Sequence, residues 1–240
     1  ETKGSGGGIV HLQGLTNLIA LSVGDTSLAN AGLSHLGRLP NLTWLDIRRT
    51  GLNDEQLSPL KQVQKLNTLF LDGTRITDKG LEEVGQLTTL VRLELNDTQV
   101  SDEGLRNLRG LSELRFLSLN TTMVTGDANG LNGLTELLRL QLKHSPLTDD
   151  GVLRLETLRR LDALYLNDTD ITDAGLKNLK KLTQLRTLDL SGTKISDNAI
   201  PDLESLTNLK TLRLPGTMMT SAGRTRIRES LPDCSVLPKN

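Results

Sequence analysis

One set of aliphatic residues recurs every 24 residues along this chain, and that period constrains the fold more than any other property. Leu87, Leu90, Leu93, Leu95, Thr98, Val100, Asp102, Gly104, Leu105 and Leu108 form one unit. Val63, Leu66, Leu69, Leu71, Thr74, Ile76, Asp78, Gly80, Leu81 and Val84 repeat it one period earlier, and further copies begin at Leu158 and Leu182. Nine copies carry a strand core: Leu21/Val23, Leu45/Ile47, Leu69/Leu71, Leu93/Leu95, Leu117/Leu119, Leu140/Leu142, Leu164/Leu166, Leu188/Leu190 and Leu212/Leu214. An incomplete copy, Gly8-Ile9 to Leu15, precedes them. A unit this short cannot enclose its own leucines, so each must be covered by the next, and stability becomes close to a sum over neighbours.

Within a unit the Leu-x-Leu pair alternates with strand period. Three residues after the second Leu comes a hydroxyl: Thr26, Thr50, Thr74, Thr98, Thr122, Ser145, Thr169, Thr193 or Thr217. At a buried corner it is expected to bond backbone groups of the adjacent coil. Thr77-Asp78, Ser101-Asp102, Thr148-Asp149, Thr172-Asp173 and Ser196-Asp197 read as N-caps of a Gly-Leu-x-x-Leu helix of about two turns. The fifth copy is one residue short between Val124 and Leu134. Two glycines in Thr125-Gly126-Asp127-Ala128-Asn129-Gly130 argue against a regular helix there.

These units resemble the ribonuclease-inhibitor-like, cysteine-containing class of leucine-rich repeats, with Thr where that class often has Cys. The 24-residue Thr form is most similar to leucine-rich-repeat proteins of environmental bacteria, notably planctomycetes. The resemblance spans residues 8 to 237. It implies an α/β solenoid, a curved horseshoe with a parallel β-sheet on the concave face and short helices on the convex face. For function it implies a protein-binding scaffold, with no family active site to carry over and no cofactor.

Composition narrows the function classes. Lys plus Arg (28) nearly balance Asp plus Glu (29), whereas a nucleic-acid binder usually carries a basic excess, so no nucleic acid is expected. No apolar run reaches membrane-spanning length. Cys234 is the single cysteine, which excludes an internal disulfide framework. Residues 1–7 have linker composition, native or an expression remnant, and residues 8–240 read as one repeat domain with a C-terminal cap at about 224–237. The expected context is a longer bacterial protein, cytoplasmic or extracytoplasmic.

The strand positions flanking the leucines are expected to point out of the concave face. All four aromatic residues fall there: Trp44, Phe70, Phe116 and Tyr165. With Asp46, Arg48, Arg92, Glu94, Arg139, Gln141, Lys143 and His144 they form the candidate partner-binding surface, Arg139, Lys143 and His144 making a basic ledge. Aromatics with arginines are the composition of binding hot spots, although strand packing alone also favours aromatics on strands. A protein or peptide is the leading partner. A glycan stacked on the aromatics and a purely structural or adhesive segment are the alternatives. His11, His35 and His144 lie in different units without metal-ligand spacing, and acid pairs such as Asp46/Asp72 read as solvated surface, so neither metal nor catalytic residues are assigned. The sequons at Asn41, Asn96, Asn120 and Asn167 read mainly as by-products of the repeat, three of them sharing its Thr.

Overall fold

The computed structural model describes residues 11–12, 14–28, 33–126 and 129–238; the linker assigned to 1–7 and the start of the incomplete first copy lie outside them. Ten short strands form one parallel sheet in chain order. They are β1 (Ala20–Ser22), β2 (Trp44–Asp46), β3 (Thr68–Phe70), β4 (Arg92–Glu94), β5 (Phe116–Ser118), β6 (Arg139–Gln141), β7 (Ala163–Tyr165), β8 (Thr187–Asp189), β9 (Thr211–Arg213) and β10 (Ser235–Leu237). The nine expected strands appear in the expected register, and the Cys234-Ser235-Val236 segment supplies the tenth.

Pairing is without slip: the central residues Leu21, Leu45, Leu69, Leu93, Leu117, Leu140, Leu164, Leu188, Leu212 and Val236 align in one row. From Leu45 to Leu212 these leucines are fully buried and belong to one continuous core running from Leu28 to Val236. Each contributes roughly 1.5–3 kcal/mol of apolar burial.

The strands connect to helical segments whose α-helical parts are four to six residues long, except the last at ten; with the 3₁₀ turns that extend them, several reach the expected length of about two turns. These are α1 (Gly80–Val84), α2 (Asp102–Leu105), α3 (Asp149–Arg154), α4 (Asp173–Leu176), α5 (Ile200–Glu204) and α6 (Ser221–Ser230), interspersed with 3₁₀ turns such as Asp54–Gln62 and Arg106–Gly110. Helices this short are marginal alone, and here each packs on the helical segment of the next unit.

Three devices recur in the connections. First, the fourth residue after each strand's central leucine leaves the strand in the left-handed conformation. It is Asp25, Arg49, Asp97, Thr121, His144 or Asp168 with φ of 51–60°, or glycine at 73, 192 and 216. That twist lets its N–H reach the carbonyl of the next unit, as in Arg49 to Asp72 (2.8 Å), Thr121 to Lys143 (2.8 Å) and His144 to Asn167 (3.1 Å). Second, the repeated hydroxyl is indeed buried at most corners, but it donates within its own unit, to the carbonyl three residues back. Thr50 bonds Ile47 O at 2.7 Å, Thr98 bonds Leu95 O at 2.6 Å and Ser145 bonds Leu142 O at 2.6 Å. Carbonyls of the adjacent coil such as Asp72 O and Lys143 O accept instead from backbone N–H groups.

Third, of each Thr/Ser-Asp pair only the hydroxyl caps. Ser101, Thr148, Thr172, Ser196 and Thr220 accept from N–H groups two or three residues on. The aspartate reaches across to the next unit. Asp78 accepts from Ser101 N–H (2.7 Å) and Oγ–H (2.6 Å), Asp149 from Thr172 (2.8 and 2.7 Å), and Asp173 from Ser196 (2.7 and 2.6 Å). Gly80, Gly104 and Gly175, two residues after Asp78, Asp102 and Asp173, are where Asp54, Asp78 and Asp149 of the preceding unit fit.

In the short fifth copy Asp102 still holds Thr125 and Gly126, but the link onward is a backbone bond from Thr148 N–H to Thr125 O. Gly126, with φ of 83°, packs directly on Gly151, and among the described residues the helix nearby is a 3₁₀ turn, Asn129–Leu131. The irregularity expected from the two glycines is present, although Asp127 and Ala128 lie outside the described residues.

Candidate functional site

The sheet's face away from the core has three columns. The first runs Ala20, Trp44, Thr68, Arg92, Phe116, Arg139, Ala163, Thr187, Thr211 and the second Ser22, Asp46, Phe70, Glu94, Ser118, Gln141, Tyr165, Asp189, Arg213. The third, two residues further on, includes Arg48, Asp72, Asn96, Asn120, Lys143 and Asn167. Strands lie about 4.8 Å apart, so side chains of adjacent units touch.

They build a chain of rings and cations across β2 to β6. The Trp44 and Phe70 ring centroids lie 5.3 Å apart at a tilt of 60°. Arg48 Cζ lies 5.0 Å from the Phe70 centroid. Arg92 Cζ bridges Phe70 (5.3 Å) and Phe116 (4.2 Å), and Arg139 covers the other side of Phe116 at 5.8 Å. Further along, Lys143 Nζ is 5.3 Å from the Tyr165 ring. Cation–π contacts of this kind contribute about 0.5–1 kcal/mol each where exposed.

Acid partners hold the first two arginines in place. Arg48 donates to both Asp46 oxygens (2.9 and 2.8 Å), and Arg92 donates twice to Glu94 Oε1 (2.9 and 2.5 Å). Burial pushes the Asp46 carboxyl up, but the Arg48 guanidinium and N–H outweigh it, leaving it below the usual carboxylate range. Burial dominates at Asp72 and raises it; its Oδ1 accepts from Asn96 N–H at 2.9 Å, while Oδ2 has only Arg48 Nε at 4.0 Å. Asp46 and Asp72 are therefore not the solvated pair expected: they are 5% and 7% exposed. They sit low in the groove between longer side chains.

Phe70 also departs from expectation. It lies on this face and outside the core, yet is only 8% exposed, closed over by Trp44, Arg48 and Arg92. Trp44, Phe116 and Tyr165 are half-buried, Arg92 and Arg139 exposed. Gln141 is partly committed inward: its Oε1 accepts from Asn120 Nδ2 at 3.0 Å. His144 stands at the left-handed corner, exposed, with Nδ1 3.6 Å from Asp168 Oδ2.

A sequence family model described as Leucine Rich repeat matches residues 86–108 and 181–200. The fold is similar to an internalin (inlF) of Listeria monocytogenes, at 25% identity and TM-score 0.72, over 97% of this chain and 70% of that one. It is also similar to internalin C2 (inlC2) of the same organism, at 28% identity and TM-score 0.70, over 86% of this chain and 82% of that one. The chain is a leucine-rich-repeat solenoid. No curated protein matches it.

What the repeat pattern did not reveal on the solenoid's face is a ladder of amides in the third column. Asp72 Oδ1 accepts from Asn96 N–H (2.9 Å), Asn96 Oδ1 from Asn120 N–H (2.9 Å) and Asn120 Oδ1 from Lys143 N–H (2.9 Å). The Asn-Asp-Thr and Asn-Thr-Thr triplets that mark sequons at Asn96 and Asn120 are thus also the signature of this ladder, and both side chains are engaged in it. Among the described residues no cluster of three His, Cys, Asp or Glu is placed to hold a metal, and no helix is long and apolar enough to cross a membrane.

Proposed function

We propose that the solenoid is a non-enzymatic binding module that receives a protein or peptide on the concave face of its sheet. The observation that carries this reading is the ring-and-cation chain from Trp44 to Arg139. Its members are held by one another and by Asp46 and Glu94 before any partner arrives. Ordering a long side chain on binding costs about 0.5–1.5 kcal/mol, and fixing Arg48 and Arg92 in advance removes that cost. The mixed signs of the surface suit a protein partner, and segments such as Ile76-Thr77-Asp78-Lys79-Gly80-Leu81 support placing the units in the ribonuclease-inhibitor-like class.

The test is selection of displayed peptides and proteins on the immobilised chain, followed by binding to Trp44→Ala and Phe116→Ala. Each change should weaken the selected binders by about 2 kcal/mol or more, with the circular dichroism spectrum kept. Binders indifferent to both changes would refute the face assignment. Retention of polysaccharides in place of proteins would favour the glycan reading.

A further inference from the structure

The cations of this face fall into two sets. Arg48, Arg92 and Arg213 each have a carboxylate of the same face within reach: Asp46 at 2.8 Å, Glu94 at 2.5 Å and Asp189 at 3.9 Å. Arg139 and Lys143 have none among the described residues. Each faces a ring instead, Phe116 and Tyr165 respectively.

The register places these two in one neutral field. β6 and the residues beyond it contribute Arg139, Gln141 and Lys143; one neighbouring unit contributes Phe116, Ser118 and Asn120, the other Ala163, Tyr165 and Asn167. The field carries two charges, both positive. The nearest acids outside it have other partners: Glu94 has Arg92, Asp189 has Ser191 and Arg213, and Asp168 accepts from Asn167 Nδ2 at 3.2 Å. Several cations elsewhere do pair with an acid of the preceding unit, as in Arg49 with Asp25, Arg160 with Glu136, Lys194 with Asp170 and Arg226 with Glu204. Among the described residues Arg139 and Lys143 face rings and no counter-charge.

Resting on the reading of this face as a binding surface, we infer that the field around β6 takes up an acidic segment of the partner protein. Carboxylates of that segment pair with Arg139 and Lys143, and apolar or aromatic side chains between them pack on Phe116 and Tyr165. Lys143 follows Arg139 by four residues, the last two past the end of β6, about 13 Å if the chain is extended throughout. An extended segment laid along β6 matches that distance with acidic residues at its first and fifth positions, both pointing the same way. A nucleic acid is the less suitable polyanion, because Asp46, Asp72, Glu94 and Asp189 on the same face would repel a continuous run of phosphates.

The experiment uses three fluorescein-labelled peptides, Thr/Val-rich and extended, with Glu, Gln or Lys at the first and fifth positions, and a labelled single-stranded oligonucleotide. Fluorescence anisotropy at low ionic strength reads their affinities. The Glu peptide should bind at least tenfold tighter than the Gln peptide and weaken as salt is added. Arg139→Gln with Lys143→Gln should abolish that preference, and Lys177→Gln with Lys180→Gln on the helical side should leave it intact. No binding of the Glu peptide, equal binding of the Glu and Gln peptides, indifference to the Arg139/Lys143 change, or tighter binding of the oligonucleotide would each overturn the inference. Selected partners that are lost on Trp44→Ala but are indifferent to the Arg139/Lys143 change would overturn this inference alone and leave the wider reading standing.

Discussion

Gly104 and Gly110 lie six residues apart in one unit and should respond to alanine with opposite signs. Helix propensity favours alanine over glycine by up to about 1 kcal/mol at a helical position. At Gly110, exposed at the end of a 3₁₀ turn, an added Cβ meets nothing within 4 Å, so Gly110→Ala should stabilise by about 0.5 kcal/mol. At Gly104, inside α2, the same atom would stand 2.4 Å from Asp78 Oδ1 and 2.8 Å from Asp78 Cα. The side chain alone cannot swing clear, since the backbone atom is also in the way, and overpacking of this kind costs about 1–3 kcal/mol. Displacing Asp78 also strains its two bonds to Ser101, at 2.7 and 2.6 Å, worth about 1 kcal/mol each at a half-buried site. Summed against the propensity gain, Gly104→Ala should destabilise by about 2–4 kcal/mol. Urea unfolding followed by far-ultraviolet circular dichroism reads both variants as midpoint shifts at constant slope. Because the clash and the lost bonds share one residue, Gly104→Ala in an Asp78→Ala background should cost about 1–2 kcal/mol less than in the wild type. A Gly104→Ala midpoint at or above that of the wild type, or strict additivity with Asp78→Ala, would refute the stapling argument.

Thr122→Val keeps the shape of a buried corner but removes the donor to Leu119 O, at 2.7 Å, and should cost about 1 kcal/mol; an unchanged thermal midpoint would show that the hydroxyls do not support the turn. Asp72→Asn should stabilise the protein at neutral pH, because burial raises the folded-state pKa of this carboxyl and its contribution to stability is lost as pH rises through that value. The advantage over wild type should vanish as pH falls below the ordinary carboxylate range, and an advantage that persists there in a pH series of melting temperatures would contradict the assignment. Cys234 is 8% exposed and burial pushes its thiol up; it should react with a disulfide reagent only after urea unfolding, and rapid labelling of the native protein would show that β10 opens readily.

The strand positions were legible because period-24 leucines leave one register in which every repeat buries the same side chains, and Leu45 to Leu212 occupy it without slip. The connections were less legible. The left-handed corner is written plainly where it reads Asp25, Gly73, Asp97, Asp168, Gly192 or Gly216, residues suited to that conformation. Arg49, Thr121 and His144 hide it, since there the repeat imposes the conformation on residues that disfavour it, and reading single positions suggested only an outward-pointing side chain. The destination of a hydrogen bond was not legible at all. Thr98 and Asp78 both mark recurring positions, yet one hydroxyl turns back into its own unit and one carboxylate crosses to the next. Only the geometry of the coil, which takes up the neighbouring carbonyls with backbone N–H groups, separates the two.

The same distinction applies to the face. Sequence spacing put four aromatics and several cations on one side of the sheet without ranking them, and close strand spacing ranks them. Phe70 has a large neighbour on three sides, so it serves as the floor on which Trp44, Arg48 and Arg92 are set. On the proposed reading of this face, contact area for a partner falls to Trp44, Phe116 and Tyr165. Charge sorts in the same way. Arg48 and Arg92 are spent on Asp46 and Glu94 and hold the rings in place, whereas Arg139 and Lys143, both in the β6 unit three units on from Phe70, have no carboxylate partner on the face among the described residues and, on the proposal above, keep their charge for an acidic segment.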